Sequence, residues 1–169
     1  MIRLFGAVLL ACACLWIGEK RARELRTRVD VLDGLMDALD GINRELEIRL
    51  TPLPQLMEEQ GEYASPLVRE LFLSCRKGLE GLRQESFSQV WTNLVEEIPH
   101  LKREDKRTLW SLGCVLGRYD GRGQSAAISG VCRELERNRE QAWQISCRLG
   151  RVYRAVGAAA GGFLIVFLL

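Results

Sequence analysis

The stretch LRTRVDVLDGLMDALDGINREL, residues 25–46, decides the fold. Its large apolar residues are Leu25, Val29, Leu32, Leu35, Leu39, Ile42 and Leu46. Their steps of 4, 3, 3, 4, 3 and 4 follow one face of an α-helix. Asp30, Asp33, Asp37 and Asp40 keep a helical spacing of their own. At about 100° per residue they fall nearly opposite the leucines. The spacing predicts a long helix, running to about Leu50, with one packing face and one acidic ridge.

Helical signals continue downstream, and no run of alternating apolar and polar residues is long enough for a sheet. Thr51-Pro52 is a helix start, with Thr as N-cap and Pro at the first helical position. A short helix is expected to about Gln60, ended by Gly61. Ser65-Pro66 repeats the start signal, and Leu67, Val68, Leu71, Phe72, Cys75 and Leu79 form its stripe. Ser86 and Gln89 resemble a capping box before Val90, Trp91, Leu94 and Val95. Leu101–Leu116 reads as the next helix, with Leu109, Trp110, Leu112, Gly113 and Leu116 inward. Residues 117–123 read as a turn, and a last long helix is expected from about Gln124. Its expected seam is Ile128, Cys132, Leu135, Asn138, Ala142, Ile145, Leu149 and Val152. Asn138 is a polar interruption of a kind that sets register, although partial exposure is the simpler reading.

Charge divides the chain further. Net charge is only +2 over 169 residues, but residues 19–28 hold five bases (Lys20, Arg21, Arg23, Arg26, Arg28) and two acids. Arg148, Arg151 and Arg154 form a second basic collar, while residues 29–147 hold 15 bases and 20 acids, a net of −5. Outside the collars, Met1–Gly18 has one charge, Arg3, and Ala155–Leu169 has none. Basic collars on the inner side of two apolar ends place residues 19–154 in the cytoplasm by the positive-inside rule. Eighteen helical residues reach roughly 27 Å and fifteen roughly 22 Å, against a hydrocarbon core of about 30 Å. The second segment spans only if Arg151 and Arg154 snorkel and the helix counts from Leu149. The strong positive charge follows the first apolar run, which opposes a secretory signal. Leu9-Leu10-Ala11-Cys12 looks like a lipobox, but with Leu10 poorly suited and a short apolar run before it. The expected class is all-α: a cytoplasmic helical bundle, residues 19–154, with transmembrane segments at 1–18 and 155–169.

The chemistry of an enzyme is not apparent. His100 is the only histidine and reads as an exposed loop residue after Pro99. Six cysteines (12, 14, 75, 114, 132, 147) show no CxxC pair and read as small packing residues in a reducing compartment. The glycines at 113, 117, 121 and 123 match no phosphate-binding loop. The pairs Glu58-Glu59, Glu96-Glu97 and Glu104-Asp105 read as solvated helix faces. No cofactor or metal is expected. An acidic middle also repels phosphate, so nucleic acid is an unsuitable partner. Surface for protein partners remains, with the acidic ridge as its first candidate and a merely soluble helix face as the simpler account.

Four segments together resemble the stage III sporulation protein AB family over essentially the whole chain. They are Leu4–Leu10, the run ELEIRLTPLP at residues 45–54, Leu116–Asp120 with Gln124 and Ile128, and Tyr153–Gly157 with Gly161 and Gly162. Ile48 stands where the family has an aromatic residue and Tyr119 where it has a small one. The resemblance implies a cytoplasmic domain similar to the F-domain of type II secretion and type IV pilus platform proteins. It implies a membrane platform in the complex joining mother cell and forespore, without catalytic activity. Its implied partners are the secretion-type ATPase stage III sporulation protein AA and other channel subunits; self-association into a homo-oligomer is a separate expectation. The implied location is the mother-cell membrane around the forespore. Asp33, Asp37, Asp40, Thr51, Pro52, Leu53 and Pro54 are the candidate partner residues. A membrane-bound regulator or sensor without a secretion partner is the competing reading.

Overall fold

The computed structural model describes residues 2–48, 53–80, 86–116 and 121–168. They form α1 (Ile2–Ile48), α2 (Leu53–Tyr63), α3 (Pro66–Glu80), α4 (Phe87–Glu97), α5 (Arg103–Val115) and α6 (Gly121–Leu168). Among the described residues there is no strand. The chain falls into two compact units, Asp30–Arg139, and Met1–Val29 with Glu140–Leu169.

The unit Asp30–Arg139 buries large apolar side chains in its interior. Leu32, Leu35, Leu39 and Ile42 are fully buried and Leu46 nearly so, as the leucine spacing predicts. Each fully buried Leu or Ile side chain contributes about 1.5–3 kcal/mol. α2 packs on α3, α3 on α4, and α4 on α5. Phe72 of α3 and Trp91 of α4 meet at 6.5 Å between ring centroids, with Phe87 stacked on Trp91 at 6.1 Å. The Trp91 indole N–H donates to the Leu109 carbonyl at 2.7 Å. That approach requires Gly113, because a Cβ there would lie 2.8 Å from Trp91 Cδ1. From α6, Ile128 and Leu135 are fully buried.

Several boundaries differ from those the residues suggest. Gly61 does not end α2, which continues to Tyr63 with Ala64 N–H bonded to the Gln60 carbonyl at 2.8 Å. Gly61 instead lets α3 approach, since a Cβ there would meet Leu73 Cδ2 at 2.8 Å. α6 begins at Gly121, three residues before the expected Gln124. The Thr51-Pro52 start and most of the 117–123 turn lie outside the described residues. At Ser86, the backbone N–H donates to Gln89 Oε1 at 3.1 Å, the reciprocal half of the expected capping box. Lys102 N–H makes the same bond to Asp105 Oδ2 at 2.9 Å, which the sequence reading missed because Lys is a poor N-cap. Trp110 is only half-buried. Asn138, expected to be partly exposed, is buried at 7%. His100 is exposed, with a left-handed φ of 67° after Pro99.

The second unit packs in the opposite sense. Apart from Arg28 and Val29, where it adjoins Asp30, its buried residues among those described are small: Gly18 and Ala22 on α1, and Ala142, Ser146, Gly150, Gly157 and Gly161 on α6. The backbones approach closely, for a Cβ on Gly18 would lie 2.7 Å from the Tyr153 carbonyl oxygen. One on Gly157 would lie 2.9 Å from that of Cys14. Large apolar side chains point outward: Trp16 is 75% exposed, Ile17 61%, Phe163 70% and Val166 79%. The expected seam therefore ends at Ala142, because Ile145, Leu149 and Val152 are exposed. A step of four from Asn138 through Ala142, Ser146 and Gly150 holds the packed face, and large residues there would hold the backbones apart. Among the described residues, no helix is long and apolar enough to cross a membrane.

Candidate functional site

The acidic ridge of α1 is divided by its surroundings. Asp33 is half-buried and engaged: Arg139 Nε donates to its Oδ1 at 2.8 Å and Arg139 Nη2 to its Oδ2 at 3.4 Å. A two-pronged guanidinium–carboxylate pair fixes geometry as well as charge. Asp30, Asp37 and Asp40 are exposed. Asp40 lies beside Cys132 of α6. Burial, and secondarily the Asp40 carboxylate, push the Cys132 thiol up to about 12.

Asp37 opens onto a cavity of about 490 Å³ on the same unit. Its floor is Gly34, Ala38 and Gly41 of α1, and its far wall is Gln60, Tyr63, Ala64 and Ser65. Glycine is needed at both floor positions. A Cβ on Gly34 would lie 2.5 Å from Ser65 Oγ, and one on Gly41 would lie 2.3 Å from Gln60 Oε1. Asp37 and Glu45 supply two carboxylates at the rim against one guanidinium, Arg44. Tyr63, 85% exposed, stands at the edge. The exposed Asp37 carboxylate beside an exposed aromatic ring suits a cationic side chain. Ser65 Oγ is buried and has no hydrogen-bond partner among the described residues. The wall was not legible in the sequence, because Tyr63–Ser65 reads there only as a connection between helices. Of the other expected partner residues, Thr51 and Pro52 lie outside the described residues and Pro54 is exposed. Nothing is described of the Leu53 side chain.

The collar residues are mainly exposed. Lys20, Arg21, Arg23, Arg26, Arg148, Arg151 and Arg154 are exposed. Arg28 is the exception at 8% exposure. It lies four and seven residues before Leu32 and Leu35, so helical geometry puts it on the packed face. Glu19 ties the two collars together, accepting from Arg23 Nε at 3.2 Å and Arg154 Nε at 2.9 Å. These bonds, Arg23 first, hold its carboxyl below the usual range.

The thiols do not share one role. Cys75 is buried, and burial pushes its thiol up to about 12. Cys12 and Cys114 are exposed, so the packing account fails for them. Among the described residues, no group of three or more His, Cys, Asp or Glu side chains is placed to hold a metal ion.

The family model of stage III sporulation protein AB matches residues 3–169. The chain belongs to that family. Stage III sporulation protein AB of Bacillus subtilis strain 168 is 26% identical over 176 residues, with both chains covered completely. A solved structure of a stage III sporulation protein AB has the same fold, with a TM-score of 0.58 and 22% identity. It matches 73% of this chain and 93% of its own. Family membership gives the chain a role in sporulation, and the relatives' names describe no enzyme.

Proposed function

We propose that this protein is a membrane platform of the mother cell–forespore channel complex, with no catalytic activity of its own. The observation that carries the reading is the reversed packing of the unit formed by Met1–Val29 and Glu140–Leu169. Glycine, alanine and serine face inward there, while Trp16, Ile17, Phe163 and Val166 face outward. Water penalises such an arrangement, since each outward side chain forgoes about 1.5–3 kcal/mol of burial. Lipid reverses the balance, because hydrocarbon solvates large apolar side chains and helices associate through small residues. The basic collars then lie at headgroup level, and Arg151 and Arg154 snorkel to it. Counted from Leu149, the last segment has 21 residues, about 31 Å of helix.

The unit Asp30–Arg139 faces the mother-cell cytoplasm and docks the secretion-type ATPase, stage III sporulation protein AA, together with channel subunits. The docking surface is the groove rimmed by Asp37, Glu45 and Tyr63. Asp33 takes no direct part, since Arg139 already occupies it. The test is co-purification of the ATPase with the full-length protein from membranes of sporulating cells. Replacing Asp37 by Lys is expected to reduce recovery at least about tenfold, the scale of a buried interfacial charge pair, with helicity intact. Undiminished recovery removes the groove from the proposal. If the wild-type chain recovers no ATPase at all, the platform reading falls.

A further inference from the structure

A second cavity, of about 380 Å³, lies within the reversed-packing unit. Arg26 of α1 and Trp143, Arg151 and Arg154 of α6 border it, with buried Gly150 between them. Three guanidiniums line it and no carboxylate does. Arg26 is exposed and has no ion-pair or hydrogen-bond partner among the described residues. Arg151 Nε donates to the Cys147 carbonyl at 3.1 Å, which folds the guanidinium back along α6 toward Trp143 and leaves its terminal nitrogens available. Arg154 is partly committed to Glu19. Among the described residues, the exposed large apolar side chains lie before Gly18 or from Leu149 onward, apart from Tyr63, Trp143 and Ile145. Trp143 is 49% exposed, and its ring has no stacking or hydrogen-bond partner among the described residues. It precedes Leu149, the start of the proposed span, by six positions. That is about 9 Å of helix, beyond a headgroup layer of roughly 5–8 Å. In the proposed membrane register Trp143 therefore stands on the cytoplasmic side of Arg151 and Arg154, clear of lipid.

We propose that this cleft docks an acidic segment of a partner protein from the cytoplasmic side, a carboxylate held by Arg26 and Arg151 and a large apolar side chain lying on Trp143. The inference rests on the membrane reading above and adds a partner surface separate from the groove at Asp37. Charge complementarity argues for the occupant: a guanidinium holds a carboxylate through two parallel bonds. Trp and Arg are also the side chains on which interface energy concentrates. Trp143 selects a protein segment over a free anion or a lipid, because neither of those places apolar surface on the cytoplasmic side of the arginines. Cys147, where the Arg151 guanidinium is anchored, lies four residues from Trp143. That separation is about 6 Å, which an extended chain covers in about two residues. The segment that fits has an acidic residue two positions from a large apolar one. Lys20 and Arg148 are equally cationic and exposed but lie outside the lining.

The test presents the full chain, in phosphatidylcholine nanodiscs, to a random nonapeptide display library. Counter-selection on protein carrying Arg26→Gln and Arg151→Gln discards peptides that dock elsewhere. The enriched peptides are expected to pair Asp or Glu with Phe, Trp or Leu about two positions away. The strongest of them should lose about tenfold in affinity with Trp143→Ala, and about tenfold with Arg26→Gln alone. Lys20→Gln with Arg148→Gln removes the same charge outside the cleft and should change affinity by less than about twofold. All these side chains are exposed, so each variant keeps the fold. No enrichment, or acidic peptides indifferent to Trp143→Ala, overturns the proposal. In discs that also hold phosphatidylglycerol, native mass spectrometry identifies a competing occupant. That lipid, or a second copy of the chain, bound to wild type and released by Arg26→Gln with Arg151→Gln, takes the cleft and overturns the proposal as well. A chain that does not elute with the discs fails the membrane reading, on which this inference stands.

Discussion

At the residue scale, burial decides what a side chain can do, and sequence alone does not reveal burial. Asp33 and Asp37 are indistinguishable in the ridge pattern, yet it is Asp33 that Arg139, 106 residues further along the chain, engages. Asp33→Asn is therefore expected to cost stability rather than binding. The pair is half-exposed, so about 1 kcal/mol is the scale, measured by urea unfolding. A second consequence concerns Cys75, whose thiol is held protonated up to about 12 by burial. The unfolded chain ionises this thiol near 9, so it releases its proton first. The contribution of Cys75 is thus complete below about pH 9 and is lost as pH rises toward 12. Stability measured across that window should fall more steeply in the wild type than in Cys75→Ala. At pH 8 iodoacetamide should modify exposed Cys114 and leave Cys75 intact. Rapid alkylation of Cys75 in the folded chain would contradict its placement.

At the element scale, the helices that could be read were those whose stripe is made of large apolar residues. The leucines of α1 and the aromatic cluster of α3 and α4 announce themselves by spacing. The α6 seam beyond Ala142 does not, because a rule that seeks large side chains selects Ile145, Leu149 and Val152. The packed line there is Ser146, Gly150, Gly157 and Gly161. The groove beside Asp37 was hidden for a related reason: Gly34 and Gly41 matter for the side chains they admit. This account separates glycines that look alike in sequence. Gly157→Leu should destabilise the helix pair by about 1–3 kcal/mol, because its Cβ meets the Cys14 carbonyl. Gly162→Leu should be neutral, since nothing lies within 4 Å of its Cβ position. Gly130 is also open, so Gly130→Ala should stabilise α6 by about 0.5–1 kcal/mol. Thermal unfolding in one detergent would rank all three, and a Gly157→Leu melting point equal to wild type would refute the close approach.

At the scale of the whole molecule, charge and hydropathy can be read together from the sequence, while the sense of packing cannot. Residues 29–147 carry a net −5, and each apolar end is separated from them by arginines. In the proposed membrane arrangement these arginines keep the acidic body on the cytoplasmic side, because moving them across the bilayer opposes both hydration and the membrane potential. Cys114 is a native reporter of that side, being exposed on the Asp30–Arg139 unit. In a vegetative bacterial host, a membrane-impermeant maleimide should leave Cys114 unlabelled in intact cells and label it in inverted vesicles. Replacing Lys20, Arg21, Arg23 and Arg26 by Glu, with the second collar treated likewise, should make part of the population label from outside. The collars act through charge, so Arg→Lys exchanges at the same positions should change nothing. Labelling of wild-type Cys114 in intact cells would place the acidic body outside. A cytoplasmic ATPase could not reach it there, and the docking proposal would fail even if the helix pair lies in lipid as proposed.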